Sequence, residues 1–253
     1  MKITSFGGTD TGKKRSNNED AFLLNDRLGL YAVADGVGGN EGGEVASRTA
    51  VDTLAASLPD LLGEKDRTPP AGSVRAGDPS FSALQLAITL ANRSIRRQRE
   101  AAPALESMGT TLTALLIRNK DAIIAHIGDS RTYLLRSGTF TQLTNDHSIV
   151  GEQVRRGMIT REQARTSPVR HVITRALGID ADISIDLAKH PLQKGDRFLL
   201  CTDGLTEMVD DGEISSILSG AEPREAVQRL LAAANRRGGV DNITAVVIQV
   251  KEI

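Results

Sequence analysis

The 253-residue chain has little cysteine and few aromatic residues, and it has neither a long apolar run nor a marked net charge. Its one cysteine, Cys201, excludes an internal disulfide framework and a zinc site built from several cysteines. No stretch approaches the roughly 18 apolar residues that a membrane-spanning helix needs. With 31 basic and 32 acidic residues, the overall charge does not favour nucleic acid or an anionic membrane as a partner.

The rest of the composition is that of an ordinary globular protein, with 40% apolar and 25% charged residues. The first residues, MKITSFGGTDTGKKRSNNED, contain no apolar segment of the kind that directs secretion. We therefore expect a cytoplasmic protein. Because neither an internal repeat nor a change of composition divides the chain, we also expect a single domain over residues 1–253.

Secondary-structure patterns indicate a mixture of strands and helices. Short apolar, β-branched runs predict strands at 21–24, 28–34, 110–118, 121–127, 131–135, 183–187, 197–202 and 243–250. Many of these runs lie too close together for a crossover helix, which favours antiparallel sheet. Helical spacing of apolar residues predicts helices at 44–61, 81–95 and 226–234, each with one apolar stripe that should pack on a sheet face. The proline-rich segment 59–80 indicates an exposed loop.

Six carboxylates stand at the ends of predicted strands. An apolar run comes before each of Asp35, Asp129 and Asp203. An apolar run comes after Glu19, Asp20 and Asp241. In an antiparallel sheet the end of one strand lies beside the start of its neighbour, so these six side chains can meet at one edge. Carboxylates gathered in this way repel one another unless a cation compensates them.

A hard divalent cation such as Mg²⁺ or Mn²⁺ suits this set of oxygen ligands, and two ions suit six acids better than one. Gly36 lets the backbone approach closely, so its carbonyl is a further candidate ligand. Two such ions acidify water and neutralise phosphoryl oxygens, which indicates phosphoester hydrolysis. Arg15, just before Glu19 and Asp20, is the candidate to bind phosphate oxygens.

Eight segments, in order and spacing, resemble the metal-dependent protein serine/threonine phosphatases of type 2C, the PPM family, in their bacterial form. The segments are RSNNED (15–20), ADGVGG (34–39), MGTTLTALLI (108–117), HIGDSRTYLL (126–135), LTNDHS (143–148), TRALG (174–178), CTDGLTEMV (201–209) and GGVDNITAVV (238–247). The resemblance covers nearly the whole chain. It implies an α+β fold with a central β-sandwich of two antiparallel sheets, flanked by helices on both sides in four α-β-β-α layers.

The resemblance also implies a centre of two Mn²⁺ or Mg²⁺ ions at one end of the sandwich. In that centre Asp35 bridges both ions and the Gly36 carbonyl binds one of them. Asp203 and Asp241 complete the ligands of the other. Hydrolysis of phosphoserine and phosphothreonine then proceeds by direct attack of an activated water, with no covalent phosphoenzyme.

Four further positions receive roles from the same resemblance. Glu19 and Asp20 act near the ions or through water. Asp129 matches the position that, with Asp203, holds a third and weaker ion in bacterial members. Arg15 matches the arginine that binds the phosphate of the substrate.

One position departs from the eukaryotic pattern. Many eukaryotic members have DGHGG, and that histidine is credited with protonating the leaving group, whereas this chain has Val37 there. Bacterial relatives commonly lack the histidine too, so the change does not predict loss of activity. A metal-bound water is then the candidate proton source.

Several residues have a simpler interpretation than catalysis. His126, within a strand pattern, fits a packed core position, and His147 fits a residue that orders a loop better than a metal ligand. Cys201 fits a small apolar core residue, because a cysteine phosphatase needs an arginine six positions later, where Glu207 stands. GGTDTGKK at 7–14 nearly matches a phosphate-binding P-loop, but Lys14 replaces the required hydroxyl.

Substrate choice is less visible in the sequence. The segment 152–175, here called the flap, contains six arginines and two glutamates and by the resemblance lies beside the metal site. It is either a surface that attracts phosphorylated, acidic protein segments or a solvated helix and turn. Phosphorylated proteins, and a bacterial serine/threonine kinase whose work the enzyme reverses, are the expected partners of a monomeric enzyme. The alternatives are a non-catalytic phosphoprotein-binding module and a phosphatase of small phosphoesters.

Overall fold

The computed structural model describes residues 1–38, 42–63 and 78–253, so most of the predicted proline-rich loop and Gly39 lie outside the described residues. The strands are β1 Lys2–Asp10, β2 Asp20–Asn25, β3 Leu30–Val37, β4 Gly109–Thr110, β5 Leu112–Arg118, β6 Asp121–Ile127, β7 Arg131–Arg136, β8 Thr139–Gln142, β9 Asp186–Pro191, β10 Arg197–Cys201 and β11 Ile243–Glu252. The α-helices are α1 Gly42–Leu61, α2 Pro79–Ala101, α3 Ile149–Arg155, α4 Arg161–Arg165, α5 Asp203–Thr206, α6 Asp211–Gly220 and α7 Pro223–Arg236.

The strands form two sheets. One has the order β1-β11-β10-β7-β8, and the other has the order β2-β3-β5-β6-β9 with the short β4 beside β3. Neighbouring strands pair antiparallel in both sheets. Together with the helices on the outer faces, this arrangement confirms the predicted α+β fold with a central sandwich of two antiparallel sheets.

Strand β3 shows how the sequence produces the layers. Successive side chains of a strand point to opposite faces, so Leu30, Ala32 and Ala34 pack in the cluster that contains α1 and α2. Tyr31 and Val33 point the other way, into the cluster between the two sheets. Because both faces of the strand are buried, its sequence is continuously apolar rather than alternating.

Strand β11 repeats this arrangement in the other sheet. Ala245 and Val247 pack against Val227 and Leu230 of α7. Val246, between them in the sequence, belongs to the cluster between the sheets. Two helical layers therefore cover the sandwich, α1 and α2 on one side and α5, α6 and α7 on the other.

Some predicted elements need correction. Strand β1 was not predicted, because its sequence KITSFGGTD has little strand propensity; it forms by pairing along β11. A Cβ at Gly7 would lie 2.7 Å from the side chain of Leu24, so the close approach of β1 to β2 requires glycine. Strand β9 begins at Asp186 rather than 183, and the short helices α5 and α6 were also missed. In the described residues, no helix combines the length and the hydropathy needed to cross a bilayer.

Candidate metal centre

Asp20 and Asp35 face each other across β2 and β3 at one end of the sandwich. The Oδ2 atom of buried Asp20 accepts hydrogen bonds from the hydroxyls of Thr202, at 2.8 Å, and Thr244, at 2.6 Å. Both threonines belong to the other sheet, so Asp20 joins the two sheets. Its second oxygen, Oδ1, is buried and has no hydrogen-bond partner in the described part of the chain.

The backbone of Asp35 is fixed from the neighbouring strand segment. Its N–H donates to Oγ1 of Thr111 at 2.9 Å, and its carbonyl accepts from the N–H of Thr111 at 2.9 Å. The hydroxyl of Thr110 donates to the same carbonyl at 2.8 Å. These contacts correct the prediction that Asp35 follows its strand, because the residue lies within β3, one position before Gly36.

Gly36 lies where no larger residue fits. A Cβ at this position would come within 2.1 Å of the carbonyl oxygen of Gly43 and 2.6 Å of that of Glu19. The Gly36 N–H donates to the same Glu19 carbonyl at 3.1 Å. Because Gly36 has no side chain, the start of α1, the residue before β2 and the end of β3 can approach one another closely. The Glu19 carboxylate also lies close to the backbone of Gly43.

Asp203 and Asp241 enter the site from the other sheet. Asp203 is the first residue of α5, two positions after the end of β10, and Asp241 precedes β11. Oδ1 of Asp241 accepts from the N–H of Asn242 at 2.8 Å, and Oδ2 accepts from Nη2 of Arg15 at 2.8 Å. Asp129 follows β6; its charge contributes to the raised pKa of Asp35, and the charge of Asp203 contributes, after burial, to the raised pKa of Asp129 itself.

Sequence reasoning missed Asn242, which holds the N-terminal segment against the site. Its Oδ1 accepts from the N–H of Glu19 at 2.8 Å, and its Nδ2 donates to the carbonyls of Thr11 and Asn17, each at 2.9 Å. A buried amide that bonds in three directions fixes the position of Glu19 relative to Asp241. The signal was present in the sequence as the asparagine of GVDN, beside a candidate ligand.

Raised pKa values show that the fold holds the carboxylates of the centre close together despite their repulsion. Burial, followed by the charges of Asp20, Asp203 and Asp129, raises the pKa of Asp35 well above its ordinary value. Burial raises the pKa of Asp20 to about 7, despite its two hydroxyl donors, and also raises the pKa values of Asp129 and Asp203. In each case burial is the largest cause, and neighbouring carboxylates add to it.

This donor set fits a hard divalent cation. The site offers carboxylate oxygens from two sheets, and the orphaned Oδ1 of Asp20 is a buried acceptor that lacks a donor. A cation among these groups would stabilise their charged forms and so lower the pKa values that burial and mutual repulsion raise. Oxygen ligands favour Mg²⁺ or Mn²⁺ over the softer metals that prefer sulfur and nitrogen.

A second group of possible ligands lies beside Asp203. Oxygen atoms of Asp203 and Glu207 and a ring nitrogen of His171 all lie within 4.8 Å of one another. Nδ1 of His171 is 3.0 Å from Oε1 of Glu207. Burial, followed by the charge of Asp203, raises the pKa of Glu207 to about 7. Glu207 was detectable as the acid one helical turn after Asp203, whereas His171 reaches the site from the distant flap.

Arg15 stands at the edge of the centre. Its side chain is 52% exposed and is oriented by Asp241 through the 2.8 Å contact. The hydrogen bond to Asp241 raises the pKa of Arg15, and the charges of Asp241, Glu19 and Asp35 add to this. A guanidinium has five N–H donors, and in the described residues Asp241 engages Nη2. Arg15 can therefore bind an anion while it stays anchored.

A cleft of about 530 Å³ lies between the flap and the metal centre. Asp129 and Asp203 line it on one side, and Arg155 and Arg161 line it on the other. Arg156, next to Arg155 in α3, is not among its lining residues. Most flap arginines have an acidic neighbour, as the ion pairs Arg155–Glu152, Arg156–Glu152, Arg161–Asp211, Arg170–Glu207 and Arg175–Asp186 show.

His126, His147 and Cys201 occupy the positions expected of structural residues. His126 is buried, and its Nδ1 lies 2.7 Å from Oγ1 of Thr113. His147 is also buried and bonds to the backbone of a loop, as described below. Cys201 is buried in β10, and burial raises the pKa of its thiol to about 12. A thiol with this pKa is not a nucleophile at neutral pH.

The fold and the acidic centre define a class of hydrolases in which carboxylates from both sheets of an α-β-β-α sandwich hold divalent ions. Residues 8–242 match the family model described as protein phosphatase 2C. The chain belongs to the protein phosphatase 2C family, which confirms the resemblance seen in the sequence.

Individual relatives agree with this assignment. Over 242 residues the chain is 41% identical to the serine/threonine protein phosphatase PstP of Mycobacterium tuberculosis, a match that covers 96% of this chain and 44% of PstP. The chain thus spans less than half the length of that relative. It is 36% identical over 245 residues to the serine/threonine phosphatase Stp of Listeria innocua, covering 95% of this chain and 93% of Stp.

Among solved structures, the crystal structure of the catalytic domain of PstP in complex with two manganese ions is similar to the whole chain. The TM-score is 0.85 with 38% sequence identity, and the match covers 99% of each chain. The α-β-β-α sandwich of this protein is therefore the fold of that domain.

Proposed function

We propose that this chain removes phosphate from phosphoserine and phosphothreonine in proteins, with two divalent ions, Mn²⁺ or Mg²⁺, as cofactors. The observation that carries the proposal is the group of raised-pKa carboxylates that meet from both sheets at one end of the sandwich. The names of the relatives and the two manganese ions of the PstP domain support it.

The proposed ligands of the two ions come from both sheets. Asp35 would be a ligand of both ions, and the Gly36 carbonyl would bind one. Asp203 and Asp241 would bind the other. When bound, such ions lower the pKa of water to give a nucleophile at neutral pH and neutralise the phosphoryl oxygens during an in-line displacement.

Three more acids have supporting roles in this proposal. Glu19, whose backbone is fixed by Asn242, acts beside the ions. Asp20, whose Oδ2 is occupied by two hydroxyls, offers only Oδ1, and so accepts a hydrogen bond from bound water or binds an ion through that atom. Asp129 acts with Asp203 at a third, weaker site.

Arg15 binds the phosphate in the proposed reaction. Its anchoring by Asp241 keeps the guanidinium at the edge of the centre, where its remaining N–H groups can donate to two phosphate oxygens. Val37 carries no titratable group, so it cannot protonate the leaving hydroxyl of serine or threonine. Water supplies that proton in the proposed mechanism.

The alternative of a non-catalytic phosphoprotein-binding module predicts the loss of acids from the centre. All six predicted carboxylates are present in the chain, which supports catalysis over this alternative. We further propose that residues 1–253 form one catalytic domain that acts as a cytoplasmic monomer and opposes a serine/threonine kinase. Light scattering on the purified chain tests the monomer, since a dimer would double the measured mass.

The experiment that tests this function compares hydrolysis of a phosphothreonine peptide with Mn²⁺, with EDTA, and by the Asp35→Asn variant. Activity should depend on Mn²⁺ and should be lost with EDTA and in the variant. Asp196→Asn is the matched control, because Asp196 is a buried aspartate at the opposite end of β10 from Asp203. Activity that survives EDTA or the Asp35 substitution rules out the mechanism, and activity on aryl phosphate but no phosphopeptide favours small phosphoesters.

A further inference from the structure

His147 holds the loop that carries Asp129 by two hydrogen bonds. The backbone N–H of His147 donates to the carbonyl of Gly128 at 2.7 Å. The Gly128 N–H donates back to Nδ1 of the His147 ring at 3.1 Å. His147 is 3% exposed, so water does not replace these bonds easily. Both hydrogen-bonding groups of Gly128, the residue before Asp129, are therefore used by one residue.

The opposite side of this loop is already fixed. Gly128 has φ of +106°, and a Cβ there would lie 2.5 Å from the side chain of Thr111. Oγ of Ser130, after Asp129, lies 2.8 Å from Oγ1 of Thr111. Thr111 also bonds the backbone of Asp35. The loop is thus held between the strand segment that positions Asp35 and the ring of His147.

His147 also contacts the C-terminal end of the flap and the start of β9. Its carbonyl accepts from the N–H of Thr174 at 2.7 Å, where the flap returns to the sandwich. Its Nε2 lies 3.1 Å from Oδ2 of Asp186 at the start of β9, and Oδ1 of Asp186 is held by Arg175 at 3.0 Å. The ring is thus connected to the base of the flap as well as to Gly128.

These partners fix the protonation of the ring. Because Nδ1 accepts from a backbone N–H, the ring proton is on Nε2, which donates it to the Asp186 carboxylate. Nη1 of Arg175 lies 3.2 Å from the same Nε2 but cannot donate to a nitrogen that carries a proton, so it donates to Oδ1 of Asp186 instead. Burial lowers the pKa of His147, which favours this neutral form. An imidazole with one nitrogen on a carboxylate and the other on a backbone N–H has a defined orientation.

We infer that His147 is a positioning residue that couples the base of the flap to the Gly128–Asp129 loop and thereby sets the position of the Asp129 carboxylate in the metal centre. The inference rests on the proposed function for its consequence, because that function assigns Asp129 to the third ion. Its structural part, the dependence of the loop on the ring, does not require a metal. Displacement of the flap base is transmitted through the ring to Asp129.

The test compares two amide replacements with different geometry. In His147→Asn the side-chain oxygen takes the place of Nδ1 and can still accept the hydrogen bond from the Gly128 N–H. In His147→Gln the amide reaches the place of Nε2 instead, so the Gly128 N–H loses its acceptor. We expect His147→Gln to weaken the weakest Mn²⁺ binding step by about 10- to 100-fold, the range for loss of an outer-shell partner. His147→Asn should restore most of this affinity.

His190→Gln is the matched control, since His190 lies on β9 and its Nε2 has no partner among the described residues.

Two readouts keep the positioning role separate from catalysis. Calorimetric titration with Mn²⁺ gives the number and affinity of the ions, and amide hydrogen exchange without metal gives the protection of Gly128. His147→Gln should lose that protection while its melting temperature stays above the assay temperature. Wild-type Mn²⁺ affinity and wild-type protection of Gly128 in His147→Gln would overturn the inference.

A second pair of variants covers the case in which His147→Gln does not fold. Asp186 is 45% exposed, so Asp186→Ala should fold while it removes the partner of Nε2. We expect Asp186→Ala to weaken the same Mn²⁺ step, and Asp186→Asn, whose amide oxygen still accepts, to restore it. Equal affinities in all Asp186 variants would overturn the coupling to the flap base. A wild-type protein that binds no Mn²⁺ would instead refute the proposed function, and Gly128 exchange would still decide whether the ring holds the loop.

Discussion

Two groups of aspartates in this molecule are buried in opposite ways. Asp196, whose side chain is 1% exposed, accepts from Nε and Nη2 of Arg136 at 2.8 and 2.7 Å. Asp146 accepts from Nε and Nη2 of Arg131, with its shortest contact at 2.6 Å. Asp20, by contrast, accepts hydrogen bonds from two neutral hydroxyls and from no other group among the described residues, and it lies beside other carboxylates.

The difference shows what each group is for. A buried carboxylate with a bidentate arginine is compensated within the fold, so that removal of either partner destabilises the protein. A set of buried carboxylates that lacks such a partner destabilises the fold until a cation binds. The uncompensated carboxylates at one end of the sandwich lower the free energy of unfolding of the metal-free protein, and such a loss of stability is common at sites that bind or react. The following predictions test whether the two groups differ in this way.

The largest effects are expected for Asp35→Asn. Loss of the proposed bridging ligand should lower Mn²⁺-dependent hydrolysis by more than the ~100-fold that marks the upper range for an outer-shell partner. The same change removes an acid whose ionised form burial and the neighbouring carboxylates disfavour, so in EDTA the variant should be more stable than wild type. A relief of about 1 kcal/mol corresponds to a rise of about 2–4 °C in the melting temperature. A lower melting temperature in EDTA would show that the carboxylates do not repel as described.

The opposite result is expected for Asp196→Asn. This variant keeps the shape of the side chain but leaves Arg136 without its charged partner, and loss of a buried hydrogen-bonded partner costs about 1–3 kcal/mol. Urea unfolding should show this loss both with and without Mn²⁺, because Asp196 lies far along β10 from Asp203. The specific activity of the folded variant should be unchanged. An increase in stability would remove the distinction between the two groups of aspartates.

A smaller effect is expected from pH. The raised pKa values of Asp20 and Glu207, each about 7, mean that the metal-free native protein keeps protons that the unfolded chain has released. Rising pH therefore destabilises the native state up to about pH 7. Below about pH 6.5, the pKa of unfolded histidine, His126 and His147 oppose this, because burial lowers the pKa of His126 to about 4 and also lowers that of His147. The net loss of stability should be clearest between about pH 6.5 and 7.

Thermal unfolding in EDTA across pH 5–8 measures this dependence. Saturating Mn²⁺ should abolish the fall between about pH 6.5 and 7, since a bound cation keeps the carboxylates charged in the native state. Glu207→Gln should make the fall shallower without metal. If the melting temperature in EDTA instead rises through this interval, the carboxylates do not hold protons in the native state.

The sequence predicted the acidic centre better than it predicted the elements around it. Asp35, Asp129 and Asp203 could be placed together because each is at or near the end of an apolar strand, and antiparallel pairing brings such ends to one edge. The sequence KITSFGGTD did not predict β1, because that strand depends on its pairing with β11 rather than on its own propensity.

The parts of the site that were missed depend on contacts between distant segments. Asn242 bonds Glu19 across 223 positions of the chain, and Thr202 bonds Asp20 across 182. His171 reaches Glu207 from the flap. No local period encodes such contacts, so periodicity finds the strands that carry the ligands but not the residues that orient them.

The smallest effect is expected at the flap, where exposed arginines form a third kind of charged group. Arg155 and Arg161 line the cleft, and Arg161 is 71% exposed with its acidic neighbour Asp211 at 3.9 Å. An exposed ion pair contributes about 0.2–1 kcal/mol, so these side chains can change partners at little cost when an acidic substrate segment enters. We expect Arg155→Glu combined with Arg161→Glu to raise KM for an acidic phosphopeptide by about 2- to 10-fold.

The same double variant should hydrolyse a small aryl phosphate like wild type, because that substrate has no acidic peptide segment for these two arginines to attract. Arg156→Glu is the matched control: it reverses a charge in the same helix, but Arg156 does not line the cleft. Its effect on KM should be smaller and should disappear at high salt, where exposed charges are screened. Equal losses on both substrates, or equal effects of the two charge reversals, would show that the flap arginines are a solvated surface with no part in substrate choice.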